Sequence, residues 1–123
     1  MRDHEYRAVR DNPPQAQRVL TARRKVLAER LARAEIFLRD LVTSGPHGAP
    51  VDNLWRGSLT RATWAAETLR QLDLSLEESE YGLAAKASHY LATLLDSIEF
   101  RQELIRQVLP ATGSGDTQEK TSC

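Results

Sequence analysis

The sequence has few of the residues that mark a disulfide scaffold, a metal centre or a membrane span. Its 123 residues include a single cysteine, Cys123, which excludes an internal disulfide and any zinc site built from paired cysteines. No window approaches the roughly 18 consecutive apolar residues of a membrane helix, and the first residues form no apolar leader segment. We therefore expect a cytoplasmic protein without membrane contact.

Net charge is also missing, but the charges are unevenly placed. Seventeen basic residues balance seventeen acidic ones, so no overall charge draws the chain toward nucleic acid or an anionic membrane. Residues 1–44 hold ten basic and six acidic side chains, whereas residues 74–123 hold four basic and eight acidic ones. The first and last thirds of the chain should therefore attract each other.

Apolar residues at alternating steps of three and four predict two helices in the first part of the chain. Asn12 is a favoured N-cap and prolines are tolerated in a first turn, so helix 1 is predicted over residues 14–44, before a break rich in Gly and Pro. Helix 2 is predicted over residues 52–72, capped by Asp52, with Gly57 delaying its start at a cost of about 1 kcal/mol. The apolar stripes are Leu20, Leu27, Leu31, Ala34, Leu38 and Leu41, then Trp55, Leu59, Ala62, Ala66 and Leu69.

A third helix is predicted from a capping box, in which Ser75 is followed three residues later by Glu78. Pro110 is predicted to end it. Its seam is Ala84, Ala87, Leu91, Leu94, Ile98, Ile105 and Val108. The sequence thus predicts an all-α fold, an up-down-up bundle over residues 13–110 between a flexible arm (1–12) and a disordered tail (111–123). The alternative is a two-helix hairpin in which helices 2 and 3 are fused.

The predicted helix lengths do not match. At 1.5 Å per residue, helix 2 spans about 31 Å against about 46 and 52 Å for helices 1 and 3, so the end of helix 3 should extend beyond it and expose apolar side chains. A homodimer or a helical protein partner would cover this face, unless helix 1 covers it within one chain. The predicted interface comprises Leu94, Ile98, Arg101, Leu104, Ile105 and Val108.

Two arginines interrupt the apolar seams. Arg24 stands in the seam of helix 1 and Arg101 in that of helix 3. A polar residue at such a position often sets register or oligomeric state. The alternative is that each arginine lays its aliphatic stem on the core and its charged head in solvent.

No arrangement of side chains predicts a catalytic, cofactor or metal site. His4, His47 and His89 are scattered over the predicted arm, loop and third helix, without the spacing that places two ligands on one helical face. Asp96, Glu99 and Glu103 share a face of helix 3 and could hold a cation or act as an acid and base. An acidic face turned toward basic helix 1 explains them as well, so we do not expect an enzyme.

A basic run in helix 1 suggests nucleic-acid binding as an alternative function, because lysine and arginine neutralise phosphates. The residues are Arg18, Arg23, Arg24, Lys25 and Arg30. The chain has no helix-turn-helix pattern, and no aromatic residues alternate with these arginines to stack on bases.

A second alternative comes from the tripeptide Trp55-Arg56-Gly57, which stands between predicted helical segments and is followed by Ala62 and Trp64. Over about residues 14–109 this pattern resembles the small secreted WXG100 proteins, which are helical hairpins that dimerise. The resemblance implies specialised secretion and a paired chain. The loop here is longer than in that family, and no Tyr-x-x-x-Asp or Tyr-x-x-x-Glu signal follows helix 3. Otherwise Trp55 and Trp64 are core anchors and Gly57 marks a helix start.

The favoured interpretation is a non-enzymatic helical interaction module, such as an adaptor, a chaperone-like factor or a regulator. Its function would be to present the apolar face of helix 3 to another helix.

Overall fold

A computed structural model describes the backbone of residues 13–117 and the side chains of residues 13–109. This part of the chain contains three helices, α1 (Pro13–Ser44), α2 (Ala49–Glu77) and α3 (Tyr81–Thr117). The predicted all-α fold is confirmed. The predicted arm (1–12) and the last six residues of the predicted tail lie outside the described residues.

Contacts between helices show an up-down-up arrangement. The Tyr81 hydroxyl donates to Gln17 Oε1 at 2.6 Å, and further along the same two helices Arg30 donates to Glu99 at 2.7 Å, so α1 and α3 run parallel. Arg24 near the start of α1 reaches Asp73 near the end of α2, so α2 runs antiparallel to α1. None of the described helices is both long and apolar enough to cross a membrane.

The core is a continuous apolar seam along the bundle. In α1 the buried residues recur as in a heptad repeat, and Leu20, Leu91, Leu95 and Ile98 are fully buried. A smaller cluster of Leu41, Val51 and Ile105 closes the end next to the α1–α2 loop. Each such side chain stabilises the fold by roughly 1.5–3 kcal/mol relative to an exposed position.

Helix α2 is longer than predicted at both ends. Gly48 is its N-cap at φ 98°, a conformation that glycine adopts without strain, and the Asp52 amide donates to the Gly48 carbonyl at 2.9 Å. Gly57 therefore lies well inside the helix and does not delay its start. The C-terminus extends to Glu77 because Leu72 is buried and Leu76 packs against the core, which continues the apolar stripe beyond the predicted end.

The predicted capping box at Ser75 and Glu78 is wrong. Ser75 lies inside α2, and its carbonyl accepts the Glu80 amide at 2.8 Å while the Leu76 carbonyl accepts the Ser79 amide at 3.2 Å. With Ser79 at φ 58°, these two bonds form a Schellman motif, which ends a helix. The turn separates α2 from α3 and excludes the fused hairpin.

The sequence predicted that helix α3 ends at Pro110, and this prediction is wrong. Its backbone remains helical to Thr117, so residues 111–117 are not a coil. A proline inside a helix removes one hydrogen bond, to the carbonyl four residues before it, and the helix can resume after a bend.

The length mismatch is smaller than predicted, because α2 has 29 residues against 32 in α1 and 37 in α3, or about 44, 48 and 56 Å. Helix α2 is therefore long enough to cover α3 along most of the bundle. Ile98 and Ile105 are 0% exposed within the single chain, and Leu94 is 7% exposed.

Candidate docking groove

An open apolar groove of about 630 Å³ lies between the C-terminal half of α1 and the middle of α2. Its α1 side is lined by Glu35, Leu38, Arg39, Val42 and Thr43. Its α2 side is lined by Leu59, Ala62, Thr63 and Ala66.

The groove has an apolar floor and half-exposed apolar walls. Leu38 and Ala62 are buried at the floor, whereas Val42 is 48% and Leu59 46% exposed on opposite walls. Alanines on the α2 side leave the space that a larger side chain would fill. Such a surface can take up two or three apolar side chains from an approaching helix.

Two opposite charges stand at the α1 rim, one helical turn apart. Glu35 and Arg39 are exposed and line the groove. Among the described side chains, neither forms an ion pair or a side-chain hydrogen bond, with each other or with a third residue. Both charges are therefore available to a molecule that docks there.

The six residues predicted as an interface on α3 do not form an open surface. Leu94, Ile98 and Ile105 belong to the internal core. Arg101, Leu104 and Val108 are half-buried, and Val108 packs against the cluster around Ile105. The prediction that the core-facing side of α3 is free is wrong, because α1 and α2 already cover it.

The basic residues of α1 are divided between internal ion pairs and solvent. Arg24 donates to both carboxylate oxygens of Asp73, at 2.8 and 3.1 Å, and this hydrogen bonding raises the pKa of Arg24. Arg18 donates to Gln15 at 2.7 Å, and Lys25 is exposed. The run predicted to bind nucleic acid is therefore not one continuous free basic surface.

Arg30 joins α1 to the acidic face of α3. It donates to both carboxylate oxygens of Glu99 and to Asp96 at 2.9 Å, and the Glu99 bonds raise the pKa of Arg30 despite its partial burial. The interpretation of Asp96 and Glu99 as part of an acidic face turned toward basic helix 1 is confirmed. The surrounding cleft of about 350 Å³ contains charges of both signs, including Arg33, Asp40 and Arg106.

No metal-binding group is formed within the described residues. No cluster of three or more histidine, cysteine or carboxylate side chains is close enough to hold an ion there. His47 instead lies in the α1–α2 loop, with Nε2 2.9 Å from the Leu41 carbonyl and 3.2 Å from Ser44 Oγ. Its role there is to cap the end of α1.

The Trp-x-Gly tripeptide lies inside α2, not in the connection between helices as the WXG100 resemblance implies. Trp55 Nε1 donates to Asp52 at 3.1 Å, and the Arg56 guanidinium lies 5.6 Å from the Trp55 ring centre. Trp55 packs against the core, but Trp64 is 50% exposed and is not a core anchor. No family model matches the sequence, and neither a curated protein nor a solved structure matches it at a significant level.

Sequence reasoning missed the groove because it misplaced two positions of the α2 core stripe by one residue. Leu59 and Ala66 were assigned to the core and are exposed, whereas Ser58 and Ala65 are buried. The Ser58 hydroxyl donates to the Leu54 carbonyl at 3.0 Å, which satisfies it inside the core. The available signal was Val42, an apolar residue just outside the predicted seam of helix 1.

Proposed function

We propose that this protein is a non-enzymatic interaction module that binds an amphipathic helix in the α1–α2 groove. The observation that carries the proposal is the pair of half-exposed apolar walls, Val42 and Leu59, above a buried apolar floor. The general role is the one expected from the sequence. The proposed docking face is therefore not the one predicted on α3 but the groove between α1 and α2.

In the free protein, water contacts the apolar walls of the groove at Val42 and Leu59. Covering apolar surface contributes about 25 cal/mol per Å². A complex is therefore stabilised both by burial of the two groove walls and by burial of the apolar side chains that dock on them. Three helices with an open groove between two of them lack one helix of a four-helix bundle, a packing in which short loops and apolar seams recur. A helix with apolar residues at i, i+3, i+4 and i+7 fits this surface.

The proposal is tested with a phage-displayed library of amphipathic helical peptides, selected on the wild-type protein. Peptides that bind the groove should bind Leu59→Asp more weakly by about tenfold or more, because a carboxylate at the wall must be desolvated on binding. The matched control is Leu74→Asp. Leu74 lies on the same helix and is 51% exposed but outside the groove, so this variant should bind the same peptides like the wild type.

Circular dichroism and urea unfolding verify that both variants fold. Failure to enrich any helical peptide on the wild-type protein, at a concentration where sedimentation shows it to be monomeric, would count against the proposal. Equal weakening of peptide binding by Leu59→Asp and Leu74→Asp would also contradict the proposal, because the peptide would then not be bound specifically in the groove.

A further inference from the structure

We infer that the helix bound in the groove is α1 of a second copy of this chain, packed antiparallel about a two-fold axis near residue 37. The inference rests on the proposed function and names its partner. Its support lies in the charges and side-chain sizes along the groove side of α1.

The rim charges of α1 are self-complementary only in an antiparallel pair. Under a two-fold axis, residue i of one copy meets residue j of the other and j meets i. With the axis near residue 37, Glu35 faces the partner subunit's Arg39, and Arg39 faces the partner subunit's Glu35. A parallel pair would oppose like charges, which is unfavourable. The absence of an in-chain ion pair at either described side chain leaves both available for this contact.

Small residues allow the second helix to approach. Ala28, Ala32, Glu35, Arg39 and Val42 follow one another at steps of four and three, and therefore lie along one side of α1. Ala32 is exposed and Ala28 half-buried. In the antiparallel pair, Ala32 faces the partner subunit's Val42, so an apolar contact flanks the central charges on each side.

This pairing completes a bundle that a single chain leaves open. Helices α1 and α2 are antiparallel within each copy, and the two-fold axis makes α1 antiparallel to α1 and α2 antiparallel to α2. The partner subunit's α1, lying in the groove, is therefore antiparallel to α1 and parallel to α2, and the two copies together contribute four helices around the axis. This pairing encloses Leu59 and Val42, the two walls that the single chain leaves about half exposed.

The experiment measures the mass of the full-length protein by sedimentation equilibrium, with Glu35→Arg and Arg39→Glu as charge-reversal variants. The wild type should be a dimer. Each variant alone should dissociate with a constant raised by about tenfold or more, because like charges then meet twice across the axis. An equimolar mixture of the two variants should recover the dimer, since every contact in the mixed pair again joins opposite charges.

Recovery in the mixture separates contact between chains from an effect within one helix, because an internal effect is not restored by a second chain. The double variant Glu35→Arg/Arg39→Glu should also dimerise. A monomeric wild type at high micromolar concentration would overturn the inference, as would single variants that remain dimeric or a mixture that remains monomeric. A monomer that still binds selected helical peptides in the groove would leave the proposed function standing and reject only self-association.

Discussion

The guanidinium of Arg101 in α3 lies against the backbone of Gly57 in α2. A Cβ atom built at position 57 would stand 2.6 Å from Arg101 Nη1 and 3.0 Å from Cζ. The absence of a side chain at Gly57 therefore makes room for the arginine that interrupts the α3 seam. With Arg24 on Asp73, both seam arginines contact specific residues of α2.

A double-mutant cycle tests this relationship. Alanine is favoured over glycine inside a helix by about 1 kcal/mol. Gly57→Ala should therefore stabilise the Arg101→Ala protein by about that amount. In the wild type, Gly57→Ala should stabilise the protein by less than this amount or even destabilise it, since the new methyl group displaces the Arg101 guanidinium. Urea unfolding of the four proteins measures the coupling. Equal effects of Gly57→Ala in both backgrounds would show that the two residues do not interact.

The internal position of α3 is tested by Ile98→Asp. Ile98 is 0% exposed, so a charge there should destabilise the chain by more than about 4 kcal/mol and unfold much of the population. The control is Phe100→Asp on the same helix, at a side chain that is 65% exposed. It should change stability by less than about 0.5 kcal/mol. A stably folded Ile98→Asp monomer would instead indicate that Ile98 lies in an interface between chains.

The turn between α2 and α3 contains a strained serine. Ser79 adopts φ 58°, where a side chain is disfavoured by roughly 1 kcal/mol and glycine is not. Ser79→Gly should therefore raise the free energy of unfolding by about 0.5–1 kcal/mol. Ser79→Ala keeps a Cβ and should bring no such gain. Thermal unfolding of the two variants decides this, and equal stability of both would contradict the strain argument.

The Arg30 site should discriminate between arginine and lysine. Its planar guanidinium contacts two carboxylates at once, with bonds of 2.7–2.9 Å, and an ammonium group lacks that fork geometry. Because the carboxylates are partly exposed, Arg30→Lys should cost only about 1 kcal/mol, and less at high salt. Arg33→Lys, at an exposed neighbour on α1, is the control and should cost nothing measurable. An equal cost for both would refute a specific role for Arg30.

Periodicity alone was enough to predict three helices, their order and the seam of α1. The end of α1 at Ser44 and its stripe from Leu20 to Leu41 are as predicted, because large leucines at heptad spacing leave no other face to bury. In α2 the buried face includes Ser58 and Ala65, which the predicted stripe left out. Hydropathy patterns give such small or polar residues little weight, and the predicted stripe was therefore displaced.

Local capping motifs predicted the helix ends less reliably than the apolar stripe that runs through them. The Ser75–Glu78 pair satisfies the pattern of a helix start, yet Leu72 and Leu76 draw α2 onward by packing against the core. That tertiary packing lengthened α2, reduced the predicted overhang and left Ile98 and Ile105 buried. Val42 alone could not locate the docking groove from the sequence, because the groove also depends on which flank of α1 lies beside α2.

The central claim is that a helix docks between α1 and α2. It is tested most directly by amide NMR spectra of the ¹⁵N-labelled protein with and without a selected helical peptide. We expect shifts concentrated in residues 35–43 and 59–66, which line the groove. Shifts centred instead on residues 94–108 of α3, or no shifts at a saturating peptide concentration, would contradict the account.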